Sequence, residues 1–514
     1  MILNMKNHTN PLYSEDKKYT SEKAKDDLLF DNSLKEYGGL VKLTDTRTVY
    51  QHDCDSILYS RSFRRLMHKT QVTYPGAYKD EHTRTRLTHT LEVVRIARAL
   101  AAAVGLNEDL AEAIALGHDL GHTPFGHEGE EFLDMVCQGN ENYGNKNLSI
   151  IEEFNLPNFE FDFKHNYQSV RVLLTWEGHH FDKATGKSVS GLNISKQTLE
   201  GILKHSKIRR KHGDRKGELY QYPDLMKLNK DFLMLDVDYP VWSVEGQIVA
   251  IADEIAQVCH DLEDAVSADY SVKHHLYREL TDFFNNSANA EYYDTLVDQW
   301  FMKIKEDTNE AGMKKITVDK NEFHAFISWT IGYLILVVQE GINRNMQNYL
   351  ALKQKYNQDL FPLDTEIVSE DILTSNKYYS FLKRIEDTYT INNVRINREN
   401  GKADFILKSL IEAYLNKPNQ LPDSVLERYS SDNTINENIK AKIYSLSWGD
   451  DKPNIRYILG KAKTEEALEF LNQLRHDQVF LRYLWDYLAS MTDQFALNEY
   501  KMLYLGDAAY QSKN

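Results

Sequence analysis

The 514-residue sequence predicts an all-α protein with at most a small β-hairpin. Three observations predict it. Apolar residues recur at three- and four-residue spacing in several separate stretches, the signature of one-sided helices. Gly and Pro are scarce, 24 and 10 in the whole chain. No internal repeat or low-complexity linker divides the sequence, so one large helical body is expected rather than beads on a string.

Each element follows from local signals. Residues 1–33 read as a polar N-terminal arm without the apolar segment of a signal peptide. The pattern turns helical between Thr44 and Arg65, with Arg61, Arg64 and Arg65 clustered at the end, and Tyr74-Pro75-Gly76 marks a loop. Thr85 to Val104 reads as a helix with Leu87, Leu91, Val94, Ala97 and Ala101 on one face. Arg86 and His89 are one turn apart near its start, on one side. Asn107 caps an apolar helix from Leu110 to Leu120 that Gly121 can end. Thr123 then reads as an N-cap, with Pro124 at the first position of a further helix.

Asn140 to Asn147 is a loop. Phe163 to Trp176 returns to helix and carries His165, Asn166, Gln168 and Arg171. Lys183 to Asn193 reads as a turn between short extended pieces, and a helix from Ser195 to His205 runs into a basic segment ending at His212. From Pro240 to Val266 the residues Val244, Ile248, Ile251, Ile255, Val258 and Leu262 form an apolar stripe, while Asp253, Gln257 and Asp261 line another face. The remainder to about Leu505 is mostly helical in pattern. The expected division is the arm, a core carrying the chemistry over 34–270, and a helical region over 271–514 packed on the same body.

Composition narrows the class. At 42% hydrophobic and 27% charged residues the chain is ordinary and globular, and its net charge of −16 argues against a broad nucleic-acid-binding surface. Cys54, Cys137 and Cys259 are too far apart for a disulfide framework or zinc ribbon, which suits a reducing cytoplasm. The longest apolar run, Ile331 to Val338, is shorter than the roughly 20 residues a membrane span needs, so it reads as a core or interface helix.

The chemistry concentrates between Leu116 and Glu130. His118, Asp119, His122, His127 and Glu130 crowd into this stretch, separated by Gly121, Thr123, Pro124, Gly126 and Gly129. His127 and Glu130 are three residues apart on the second helix and can touch. His89, His118, Asp119 and Asp253 come from three helices that can converge in a bundle. Two imidazoles and two carboxylates without a thiolate suit Mn²⁺, Mg²⁺, Fe²⁺ or Co²⁺ with open positions for water or substrate. Taken singly, His89 reads as a satisfied buried histidine and Asp253 as a solvent-facing carboxylate; the combination carries the metal reading.

That combination, a histidine, a His-Asp pair and a distant aspartate, resembles the HD phosphohydrolase superfamily. Within it the chain resembles the deoxynucleoside triphosphate triphosphohydrolases of dGTPase-like type. The matching stretches are Ser62 to Leu66 with Lys69-Thr70-Gln71-Val72, Thr85 to Val93, His118 to Glu130, His165 to Val172, Leu199 to His205, Glu245 to Glu254 and Met491 to Leu497. They run in family order over almost the whole chain.

The resemblance implies an HD-domain fold and hydrolysis of a dNTP, dGTP among the substrates, to a deoxynucleoside and inorganic triphosphate. It implies His89, His118, Asp119 and Asp253 as ligands of a divalent metal, with His127 and Glu130 as the catalytic pair. It places Arg86, His122, His165, Asn166 and Lys204 on the triphosphate, Gln71 and Val72 at the base and Asp261 at the sugar 3′-hydroxyl. It also implies a homo-oligomer, tetramer or hexamer, with an allosteric dNTP or single-stranded DNA as further partners and no membrane. The chain departs from the pattern at Gln257 and His205, where many or some members carry tyrosine. Two other readings stay open at this point: another HD-type phosphohydrolase, a phosphodiesterase or nucleotidase, or a nucleotide-sensing or nucleic-acid-binding protein with a silent site.

Overall fold

The structure is a computed structural model. It describes residues 47–71, 84–139, 149–182, 187–207, 216–222, 241, 243–268, 275–276, 278–280, 282–283, 286, 289, 306–308, 314–316, 320–356, 367–391, 394–445, 455–460 and 465–505. The N-terminal arm, Val72, the 140–147 loop, the 183–186 turn and most of the basic segment before His212 lie outside them.

The described chain is overwhelmingly helical, as the spacing predicts. Its first half comprises α1 (Val49–Leu58), α2 (Arg61–Arg65), α3 (Arg86–Val104), α4 (Glu108–Gly117), α5 (Gly126–Gln138), α6 (Ile150–Phe154), α7 (His165–Arg171), α8 (Lys196–Lys204) and α9 (Val244–Ala268). A hairpin of β1 (His179–Asp182) and β2 (Lys187–Ser190) pairs His179 with Ser190, and β3 (Glu306–Thr308) pairs with β4 (Lys314–Ile316). Then come α10 (Lys320–Tyr356), α11 (Asp371–Thr374), α12 (Lys377–Glu386), α13 (Val394–Asn416), α14 (Asp423–Ser430), α15 (Glu437–Ser445), α16 (Ile455–Gly460), α17 (Glu465–Arg475), α18 (Gln478–Ser490) and α19 (Asp493–Tyr504).

Two apolar cores organise these helices. The first gathers α1, α3, α4, α8, α9, α10 and α12, helices from both sides of residue 270. The second joins α5, α6 and Phe163 to α13 through α19. A buried ion pair ties the two: Asp486 of α18 accepts Arg171 Nε at 2.9 Å and Nη2 at 2.7 Å, with Gln168 and Trp176 donating as well. Buried charges of this kind persist only when their remaining hydrogen-bonding capacity is met. Helix α10 carries a stretch, Phe326–Asn348, apolar and long enough by composition to cross a membrane. Its Leu334, Val338 and Ile342 are instead buried in the first core.

Three local expectations are corrected. Leu91 is 45% exposed, because the buried face of α3 runs through Val93, Val94, Ile96, Ala97 and Leu100. Asn107 does cap α4, accepting from Asp109 and Leu110, but the helix stops at Gly117 and leaves His118 and Asp119 in the following turn. Thr123 is not the N-cap of α5: its hydroxyl donates to Gly126 O at 2.9 Å, and the helix starts after Phe125, whose backbone is left-handed.

Gly121 sets how tightly this turn packs. A Cβ there would lie 2.2 Å from Ser169 N and 2.4 Å from His165 O, so only glycine lets α7 approach the His-Asp turn. Ser169 Oγ closes the contact, donating to His118 O and accepting from Gly121 N, each at 2.8 Å.

Candidate active site

A Thr85–Thr88 capping box starts α3 and places Arg86 and His89 on its first turn. Helix α9 packs against both α3 and α4, bringing Asp253 opposite the His118-Asp119 turn. His89 Nε2 lies 2.9 Å from Asp253 Oδ1, and His118 Nε2 lies 3.8 Å from the same oxygen and 3.5 Å from Asp119 Oδ1. The ligand atoms of His89, His118 and Asp119 all fall within 4.8 Å of one another.

The tautomer of His118 follows from its second nitrogen. Nδ1 faces the Ala115 carbonyl at 2.6 Å, and a carbonyl only accepts, so Nδ1 carries a proton and Nε2 is the nitrogen that can ligate. That Nε2 is buried and has no hydrogen-bond partner in the protein. A buried imidazole nitrogen without a partner among carboxylate oxygens fits a divalent cation, and the nitrogen and oxygen donors suit the metals named above.

Beside this set lies a cationic group with spare donors. Arg86 is 1% exposed. Its Nη1 donates to Asp119 Oδ2 at 2.8 Å, while Nε and Nη2 are buried without partners. Gly126, at φ 65°, leaves room for the guanidinium; a Cβ there would stand 3.2 Å from Nη2. Buried N–H groups left unpaired cost free energy that an anion can recover. Burial alone would push the Asp119 carboxyl up, but His118, Arg86 and His122 hold it well below the usual range.

A third layer is built from imidazoles. The rings of His122 and His165 stack with centroids 3.8 Å apart, and His127 meets His122 edge-on at 5.0 Å. Burial pushes His122 and His165 below the ordinary imidazole value and His205 down to about 3. His127 keeps a solvent-facing edge. Neighbouring protein first and the Arg86 charge second push its pKa below the ordinary imidazole value. Burial thus favours the neutral form of each buried ring. Glu130 does not hydrogen-bond His127. Its carboxylate accepts from Lys164 Nζ, His165 Nδ1 and, at 3.1 Å, the His165 amide. The i,i+3 spacing brings His127 and Glu130 close, but the chain entering α7 supplies better donors.

Residues 86–257 match the HD domain family model. A deoxyguanosinetriphosphate triphosphohydrolase-like protein of Wolinella succinogenes is 30% identical over 464 residues, covering 90% of this chain and 97% of the relative. The chain belongs to this family. A protein of the same name from Clostridium tetani is 38% identical over 288 residues, 55% of this chain and 66% of the relative. One from Brucella ovis is 42% identical over 228 residues, 43% and 48% of the two chains. Against those two, then, the match spans less than two thirds of the relative.

For this member of the family, the other residues singled out in the sequence fall at varied distances from the centre. Gln71 is buried, and its amide oxygen has no partner. Asn166 ties α7 to the end of α8, its Nδ2 donating to Leu203 O at 2.9 Å and Ser206 Oγ at 3.0 Å. Lys204 pairs with Glu200 at 2.9 Å. Asp261 faces α12, where burial and the adjacent Glu386 carboxyl push its pKa well up; Glu386 in turn pairs with Lys383 at 2.8 Å.

Sequence reasoning left several participants out of the site. His205 stands between His118, ring centroids 5.2 Å apart, and His165, whose Nε2 lies 3.2 Å from its own. Its signal was present, since it directly follows Lys204 on the same helix end. Lys164 likewise precedes His165. His260 backs His89 from α9, with Nδ1 atoms 3.2 Å apart, and sits seven residues beyond Asp253, on the same helical face.

Proposed function

We propose that this protein is a cytoplasmic, metal-dependent dNTP triphosphohydrolase that releases a deoxynucleoside and inorganic triphosphate, with dGTP among its substrates. The observation carrying this reading is the buried Arg86 guanidinium, with two unpaired donors, beside the His89, His118, Asp119 and Asp253 set. A site for an anion next to a site for a divalent cation is what polyphosphate hydrolysis requires.

His89, His118, Asp119 and Asp253 hold the metal, Mn²⁺ or Mg²⁺ first among the candidates, with Fe²⁺ and Co²⁺ next. When bound, it supplies Lewis-acid polarisation of a phosphoryl oxygen and acidification of water. Arg86 binds the triphosphate with its spare N–H groups, and His122, His165, Asn166 and Lys204 position the same chain of phosphates. Water oxygen bonds to the α-phosphorus, the bond to the 5′ oxygen breaks, and that oxygen leaves with a proton. His127, neutral and open to solvent on one edge, moves a proton at this centre. Glu130 holds His165, and through their stacking His122, in a fixed orientation. Gln71 offers an amide to a base edge, and Asp261 a carboxyl to the sugar. The working unit is a homo-oligomer of one-body subunits, each an arm, a core over 34–270 and a helical region over 271–514.

The test is a product assay. Purified protein is incubated with each of the four dNTPs and GTP, in Mn²⁺ and separately in Mg²⁺, and nucleoside and inorganic triphosphate are quantified. Equal amounts of the two products, lost in His118→Ala, are expected. Monophosphate with pyrophosphate would replace this reading with another HD-type chemistry. Turnover only in dNTP mixtures would add an activating nucleotide.

A further inference from the structure

The Met491-Thr492-Asp493 segment belongs to the C-terminal helices, more than 200 residues beyond Asp253 in sequence, and the mechanism above gives it no task. The structure puts it against the site. Asp493 opens α19 and is 1% exposed. Its Oδ2 accepts from the Thr70 amide at 2.7 Å and the Thr70 hydroxyl at 2.6 Å, and its Oδ1 accepts from the Phe125 amide at 2.9 Å. A second contact runs alongside. The buried Lys69 Nζ donates to the carbonyls of His122 and of Ala489 at the end of α18, the latter at 2.9 Å. The Lys69 carbonyl in turn accepts the Arg86 amide at 2.9 Å.

We infer that Asp493 is a positioning residue: one carboxylate locks the Thr70-Gln71 segment to the turn that launches His127, making the C-terminal helices part of the working site. The catalytic consequence rests on the proposed function. The geometric clamp stands without it.

Two features make a carboxylate necessary. Phe125 is left-handed, at φ 65° and ψ 21°, a conformation that disfavours a residue with a Cβ. Such a conformation persists where surrounding bonds over-determine it. The Phe125 amide bond to Asp493 does so, two residues before His127. The second feature is the use of both oxygens, each toward a different segment. Asparagine has one acceptor oxygen, so it can serve Thr70 or Phe125 but not both, and its NH₂ would face an N–H on the abandoned side. The metal ligands sit on α3, on α9 and in the turn after α4, and none of them touches Asp493. Loss of the clamp should therefore leave metal affinity intact while displacing Gln71 and His127.

The experiment combines hydrogen–deuterium exchange, Mn²⁺ titration and kinetics on the full chain, comparing wild type with Asp493→Asn, Thr70→Val and Thr70→Ser. In Asp493→Asn the expected result is a joint rise in exchange in residues 66–71 and 122–130. Mn²⁺ affinity should stay within about twofold of wild type, and kcat/KM for the best dNTP should fall about 10- to 100-fold, the scale of a displacement near 1 Å. Thr70→Val, which loses only the hydroxyl bond, should show part of this effect, and Thr70→Ser should restore it. Thr70→Val also serves if Asp493→Asn does not fold. Exchange unchanged, or raised in one segment alone, overturns the inference. So does a loss of Mn²⁺ affinity in proportion to turnover, which would make the role merely structural. A wild-type protein inactive on every dNTP would remove the functional reading, while the exchange data would still decide whether the clamp exists.

Discussion

His89 Nδ1 lies 3.2 Å from Nδ1 of His260, and His260 Nε2 meets the Glu92 carboxylate on its far side. The carboxylate only accepts, so His260 carries its proton on Nε2 and presents a bare Nδ1 to His89. His89 can then donate from Nδ1 to His260, which would leave Nε2 free to ligate a metal; its 2.9 Å contact with Asp253 Oδ1, taken as a hydrogen bond, instead places the proton on Nε2. The Glu92–His260 contact thus supports the tautomer that His89 would need as a metal ligand. Replacing His260 with alanine should weaken divalent-metal binding about 10- to 100-fold, the usual cost of losing such support. Mn²⁺ titration calorimetry of the variant checks this; unchanged affinity would show that His89 is oriented by packing alone.

Arg86 is pinned through one nitrogen and offers two others. Lysine at this position keeps the charge but cannot hold Asp119 and reach an anion at the same time. Arg86→Lys should lower kcat/KM for a dNTP about 100-fold or more, on the scale of losing a preorganised donor. Because the change leaves the proposed metal set of His89, His118, Asp119 and Asp253 in place, metal content of the purified variant should match wild type. Steady-state kinetics with metal analysis checks both halves.

How far these relationships were legible in the sequence depends on how local they are. The helices carrying His89 and Asp253 are readable because Thr85 and the stripe from Val244 to Leu262 are local signals. The turn from Gly117 to Phe125 is not. Thr123 and Pro124 look like a helix start, but Asp493, far along the chain, holds the Phe125 amide and delays the helix. Likewise the spacing of His127 and Glu130 suggests a pair, whereas Lys164 and His165 arrive from another element and take the carboxylate. Local propensity sets which segments are helical. Long-range polar bonds decide where they end and which side chains meet.

Asp53 provides a test away from the site. It is fully buried on α1 and accepts from the amide and hydroxyl of Ser195, at 3.2 and 2.6 Å, and from the Thr198 hydroxyl at 2.7 Å. These bonds favour the carboxylate, but burial outweighs them and pushes its pKa up from 3.8 to about 7. The folded state therefore binds this proton more tightly than the unfolded chain. Its contribution to stability is fully present below about pH 4 and is lost as the pH rises through 7. Asp53→Asn, uncharged throughout, should flatten that slope. Relative to wild type it should gain about 3 kcal/mol between pH 4.5 and 8, against about 1 kcal/mol lost with one acceptor. Urea unfolding across this range checks it; parallel curves for the two proteins would show that Asp53 does not titrate there.

Whether Glu130 works through His127 or through His165 can be separated by a double-mutant cycle. If Glu130 only orients His165, then once His165 is alanine the further change Glu130→Gln should cost little, because the two act as a unit. His127, which makes no hydrogen bond to Glu130, should behave as independent: His127→Ala and Glu130→Gln should multiply in their effect on kcat. Each single change is expected to cost about 100-fold or more, the scale of general acid–base groups. The contacts favour this outcome, since both Glu130 oxygens are already engaged by Lys164 and His165. The opposite pattern, with the His127 pair non-additive and the His165 pair multiplicative, would mean that Glu130 swings to His127 when substrate binds. In that event the contacts with Lys164 and His165 would describe only the resting arrangement.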